Sequence, residues 1–146
     1  EKTAFDKLIP WTESKDEGIK YFSGMADYVK SFSLTKEQIE NSKLYLDLGN
    51  VQELAEVKLN GKSIGILWMP PFVADISKYV CEGKNEIEIH VTNLWPNRLI
   101  GDQFLPKEKR FTKTNVEKFT KDYPLRISGL LGPVRIIKSR LIELGK

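Results

Sequence analysis

The chain has 146 residues, 40% of them hydrophobic, and its 23 basic and 20 acidic side chains leave a formal charge of +3. A chain of this length suits one domain, residues 1–146, and can bury roughly 70% of the surface its unfolded form exposes, so it needs no covalent or metal staple. Its one cysteine, Cys81, excludes an internal disulfide and has no partner for a structural zinc site.

The N-terminal stretch "EKTAFDKLIPWTESKDEG" lacks the apolar core of a signal peptide, and no apolar run is long enough to span a bilayer. A start without methionine is expected of a mature or excised piece. The first strand signal is "ADYVKSFSL", with Ala26, Tyr28, Phe32 and Leu34 on one face and Lys30 interrupting it. "SLTKEQIENS" follows, with Thr35 and Gln38 spaced as a capping box, enough for a short helix. "KLYLDLG" alternates Leu44, Leu46 and Leu48. "AEVKLNGKSIGILW" reads as a hairpin, because Asn60-Gly61 supplies the two positive φ angles of a type I′ turn. "NEIEIHVTN" sets Ile87, Ile89 and Val91 against Glu86, Glu88, His90 and Thr92, a half-buried strand with one wet face.

Residues 106–126 form a basic loop before the last strand, with seven basic side chains against three acidic ones. "TNVEKFTKDY" within it could close one short turn. "PVRIIKSRLIEL" gives the final strand, after the breaker-rich "SGLLGP". Short antiparallel strands without crossover helices point to an all-β sandwich or barrel.

Chemistry is sparse. His90 reads as a solvent-facing strand histidine, with no nucleophile motif or phosphate loop beside it. A glycosidase needs two converging carboxylates. Asp47, Asp75 and Asp102 each lie at a strand end or turn, where a carboxylate also serves as a cap. Phe111, Phe119 and Tyr123 interleave with lysines, but the rest of the chain is near neutral and holds no recognition motif, so no nucleic-acid partner is expected. Trp11, Trp68 and Trp95 all sit beside turn chemistry, each a core plug or a stacking platform for a sugar. In "LWPNRLIGDQ", Arg98 has a fork suited to Asp102. The segment reads first as a pinned structural corner, and second as a polar face at the sheet edge.

In order along the chain, "GIKYFSGMADYVKSFSL", "LYLDLGNVQELAEVKLNGKSIGILWMPPFVADIS", "GKNEIEIHVTNLWPNRLIGD" and "SGLLGPVRI" resemble the sugar-binding-type β-sandwich of family 2 glycoside hydrolases. They are still more similar to the corresponding module of Bacteroidetes enzymes of the family 106 α-L-rhamnosidase type. The resemblance covers about residues 8–138. It implies a galactose-binding-like antiparallel jelly roll, serving as a non-catalytic accessory module whose parent carries the catalytic carboxylates on a separate barrel. It also implies export to the periplasm, cell surface or medium. The partners it implies are the catalytic domain of the same polypeptide and a polysaccharide or oligosaccharide. On this reading Trp68, Trp95, Asn97, Arg98 and Asp102 are the candidate carbohydrate-binding or domain-interface residues. No catalytic residue, cofactor or metal ligand is assigned here. Such jelly rolls often hold a structural calcium, but no loop here has the density of oxygen ligands that identifies one. An autonomous lectin-like module, in which the tryptophans and the basic loop engage a glycan such as an acidic pectic one, is the runner-up, and a small stand-alone enzyme comes third.

Overall fold

The computed structural model describes residues 4, 6–40, 42–115 and 118–140. In chain order the elements are α1 (Glu17–Lys20), β1 (Met25–Leu34), α2 (Lys36–Ile39), β2 (Lys43–Asp47), β3 (Asn50–Gln52), β4 (Leu54–Leu59), β5 (Lys62–Leu67), β6 (Val73–Asp75), β7 (Gly83–Thr92), α3 (Pro96–Asp102), β8 (Gly129–Gly132) and β9 (Arg135–Ser139). One layer is an antiparallel sheet in the order β1-β7-β4-β5. The strands β6-β2-β9 and the pair β3-β8 supply the rest of the sandwich.

The core follows from the period-two pattern. Ala55, Val57 and Leu59 of β4 and Ile87, Ile89 and Val91 of β7 join Leu44, Leu46 and Leu48 in one buried cluster. Each large aliphatic side chain buried this way contributes about 1.5–3 kcal/mol relative to exposure. The β4–β5 turn has Asn60 at φ 52° and Gly61 at φ 73°, as the Asn-Gly pair requires. Asn60 does more than turn the chain. Its Nδ2 donates to Tyr79 O at 2.9 Å and its Oδ1 accepts from Glu86 N at 2.9 Å, fixing the hairpin to β7. The capping box at Thr35 and Gln38 is present, with both reciprocal hydrogen bonds formed.

Two features differ from the expectations of the sequence. "SGLLGP" is no mere breaker: Gly129–Gly132 form β8, paired with β3, and Leu130 is buried. Four residues with glycine at each end are too short to show alternation. Their pairing comes from Val51 and Leu130 meeting across the strands. The final strand is shorter than expected, ending at Ser139, and residues 141–146 lie outside the described residues. The short turn expected in 114–123 falls partly there too. Its described end closes with Tyr123 N donating to Thr120 O at 3.1 Å.

Trp11 settles into the core. It is 4% exposed, its Nε1 donates to Tyr28 Oη at 2.5 Å, and its backbone N–H donates to Ser128 O at 2.9 Å. Burial pushes the Tyr28 hydroxyl above its ordinary pKa, against the opposing pull of the Leu130 N–H and the Trp11 indole.

Candidate functional site

The segment after β7 is helical rather than a corner of turns. Pro96 occupies the first turn of α3, where its missing N–H costs nothing and its fixed φ suits the helix. Leu99 and Ile100 bury one face. Gly101 is required by close approach: a Cβ there would stand 2.5 Å from Arg98 Nη2 and 2.6 Å from Tyr21 Cβ. The Pro-Asn pair and the glycine look like turn chemistry in the sequence. The helix is set by packing they do not reveal.

Asn97 is 2% exposed. Its Nδ2 donates to Arg126 O at 2.7 Å while its Oδ1 accepts from Arg126 N at 2.8 Å, so one side-chain amide pairs with a backbone 29 residues away as a neighbouring strand would. Asn93 does the same to the start of β1, donating to Phe22 O at 2.8 Å and accepting from Gly24 N at 2.9 Å. Asp102 is 1% exposed and accepts from Arg98 Nε at 3.0 Å, Phe111 N at 3.2 Å, Thr112 N at 2.8 Å and Thr112 Oγ1 at 2.5 Å. Burial alone would push its carboxyl up. The Thr112 hydroxyl and N–H, the Phe111 N–H and the Arg98 charge outweigh that and hold its pKa below the ordinary carboxylate value. Asn97 and Asp102 thus spend their hydrogen-bonding capacity inside the fold, pinning the basic loop at both ends.

Arg98 is different. Its Nε is held by Asp102, and its guanidinium lies 4.6 Å from the Phe111 ring centroid and 6.0 Å from that of Tyr21. Trp95, at the start of α3, is 69% exposed, and Trp68, just past β5, is 68% exposed. Sequence reasoning did not single out Tyr21 and Phe104, whose rings lie 5.7 Å apart. They come from α1 and from the turn after α3, so no local pattern joins them to Arg98.

A second site lies on the outward face of the four-stranded sheet. The register places Asp27, His90, Glu56 and Ile66 in one row across β1, β7, β4 and β5. His90 was expected to face solvent. It points outward, but its side chain is only 11% exposed. Its Nδ1 meets Asp27 Oδ1 at 2.6 Å, and its buried Nε2 has no hydrogen-bond partner, with Glu88 Oε2 3.9 Å away. Met25 and Val29 lie on the same face of β1 on either side of Asp27, and with Ile66 at the end of the row each is about three-fifths exposed (59%, 60% and 59%).

The remaining carboxylates act as turn formers. Asp47 accepts from Gly49 N at 2.8 Å and from Arg135 Nη2 at 2.9 Å. Asp75 accepts from Ser77 N at 2.9 Å and Ser77 Oγ at 2.6 Å. The Gly49 N–H, and for Asp75 the Ser77 hydroxyl, lead in lowering their pKa values. Among the described residues no three of histidine, cysteine, aspartate and glutamate converge to hold a metal, and no helix is long and apolar enough to cross a membrane.

The family model of the glycosyl hydrolase 2 galactose-binding domain-like domain matches residues 10–122. The chain belongs to that family. This galactose-binding-like domain is 45% identical to a rhamnosidase from Novosphingobium sp. PP1Y, with a TM-score of 0.85 over 92% of this chain and 13% of that one. A protein of Formosa agariphila named "Putative beta-glucuronidase" is 43% identical over 92% of this chain and 14% of its own length. A β-D-glucuronidase of Dictyoglomus thermophilum shares 26% identity and a TM-score of 0.61 over 87% of this chain and 23% of that one. The galactose-binding-like domain therefore spans only a small part of the enzymes it matches, and corresponds to a small accessory domain of a glycoside hydrolase.

Proposed function

We propose that this domain is the non-catalytic accessory sandwich of an exported α-L-rhamnosidase-like glycoside hydrolase, packed on the catalytic domain of the same polypeptide and helping to present polysaccharide. The observation that carries the reading is the proportion of the match: 92% of this chain aligns with 13% of the rhamnosidase. The outward sheet face supports the packing. Met25, Val29 and Ile66 are exposed apolar side chains on the same face as a buried imidazole nitrogen that lacks a hydrogen-bond partner, which suits burial against another domain. Trp68 and Trp95 are the side chains left broadly accessible for contact with that domain or with sugar, and Arg98, its side chain 15% exposed, offers only an edge.

The test is to mix this chain with the separately expressed remainder of the enzyme and follow both chromatographic mass and hydrolysis of rhamnosides. A stoichiometric complex with raised activity is expected. Separate elution, with full activity in the remainder alone, would leave an autonomous lectin-like module. The exposure of Trp95 beside Arg98 is the observation that favours that second reading.

A further inference from the structure

The aromatic and cationic groups around Arg98 form one connected patch. Phe111, 77% exposed, has its ring centroid 4.6 Å from the guanidinium, and that of Tyr21 is 6.0 Å away. Tyr21 leads on to Phe104, which is 52% exposed. Lys20 Nζ stands 5.5 Å from the Tyr21 ring and Lys121 Nζ 5.5 Å from the Phe104 ring. These residues come from α1, α3, the turn after α3 and the basic loop, yet the loop is fixed here because Asp102 grips Phe111 N and Thr112.

The charges on the patch are one-sided. Among the described residues the one carboxylate in this network is Asp102, which is buried and already occupied by four donors. Among the described residues neither Lys20 nor Lys121 has an acidic partner within ion-pair distance. Arg98 uses only its Nε, so its terminal amines make no hydrogen bond to a described residue. The Arg98 side chain is only 15% exposed, but its terminal amines are not among the buried unpaired atoms, and a guanidinium held at Nε presents those donors in a fixed direction, the arrangement that suits a planar carboxylate. The exposed rings of Phe111 and Phe104 offer apolar faces for the C–H surface of a pyranose.

We propose that this patch is a subsite for a uronic acid residue, its carboxylate taken by the terminal amines of Arg98 with Lys20 and Lys121 supplying field, and its ring lying on Phe111 or Phe104. This rests on the reading that the domain contacts carbohydrate, and names the class of sugar. Attraction between a single carboxylate and partly exposed cations is screened by salt, so the affinity is salt-dependent.

The experiment is calorimetric titration of the chain with trigalacturonate, a neutral galactose trisaccharide of the same length and a sulfated form of that trisaccharide. Trigalacturonate is expected to bind saturably, about tenfold tighter than the neutral sugar, and to weaken several-fold between about 50 and about 200 mM salt. Phe111→Ala and Lys121→Gln alter exposed side chains that leave the core intact, and each should weaken binding about fivefold. Arg98→Ala is kept as a further variant, because it also disturbs the corner. Equal binding of the neutral sugar, unchanged affinity in both exposed variants, or no binding at all would overturn the subsite. Equally tight binding of the sulfated sugar would overturn its assignment to a carboxylate. Each of these results leaves the reconstitution with the catalytic remainder standing, so the two readings fail separately.

Discussion

Asp102 and His90 are both polar side chains covered by the fold, and they are completed in opposite ways. Every bond that Asp102 can use is made within the chain, by Arg98, Phe111 and Thr112. His90 makes one good contact, to an aspartate that is itself 59% exposed, and leaves Nε2 buried and unmatched. A buried polar group with all its partners holds a structure together, whereas one with a missing partner is a cost that another surface can remove. The corner is thus finished in the isolated domain, and the outward sheet face is not.

The comparison is broken most strongly at the corner. Asp102→Ala removes the acceptor of four hydrogen bonds and strands the Arg98 charge, so about 3 kcal/mol of stability should be lost in a urea titration, with new protease cleavage near Thr112. A loss below about 1 kcal/mol would mean that the loop is not pinned there. Asn97→Ala should cost about 2 kcal/mol, since it leaves the Arg126 backbone groups without their partner. Arg98→Ala should cost about 1–2 kcal/mol and Lys113→Ala, on the exposed side of the loop, within about 0.5 kcal/mol. Equal midpoints for those two would count against the corner.

Acidification sharpens the same contrast. The Asp102 carboxyl titrates lower in the folded chain than in the unfolded one. Its contribution is therefore complete above the unfolded value of about 3.9 and is lost as the pH falls toward the lower folded value. The stability gap between the native chain and Asp102→Asn should narrow as thermal melts are taken from pH 6 down to pH 3. A constant gap would show that the carboxylate charge is not what the pin uses. The smallest effect belongs to the unfinished face: Asp27→Asn should change the stability of the isolated domain by about 0.5 kcal/mol or less, because the Asp27 side chain is itself 59% exposed and its charge is screened.

The strands with one wet face were legible because alternation records burial directly, as in Ile87, Ile89 and Val91. Asn60-Gly61 and the Thr35/Gln38 box were legible because their chemistry is local. What stayed hidden was set by distance along the chain. The glycine of α3 answers to Tyr21, eighty residues earlier, and Asn97 answers to the Arg126 backbone. The pairing of Arg98 with Asp102 could be anticipated from spacing, but not the approach of the Phe111 and Tyr21 rings. Alternation put His90 on the correct face. It lies between Asp27 and Glu56 of the adjacent strands, and alternation within one strand cannot report neighbours across the sheet.

The two grips on the basic loop lie on one seven-residue helix. Asp102 takes hold at Thr112 and Asn97 at Arg126, so the stretch between them starts and finishes on the same small platform whatever its length. Doubling such a loop costs only about 0.6 kcal/mol in closure entropy. Insertions or deletions within residues 113–125 are therefore expected to leave the register of the sandwich beneath them unchanged, because both grips stay on α3.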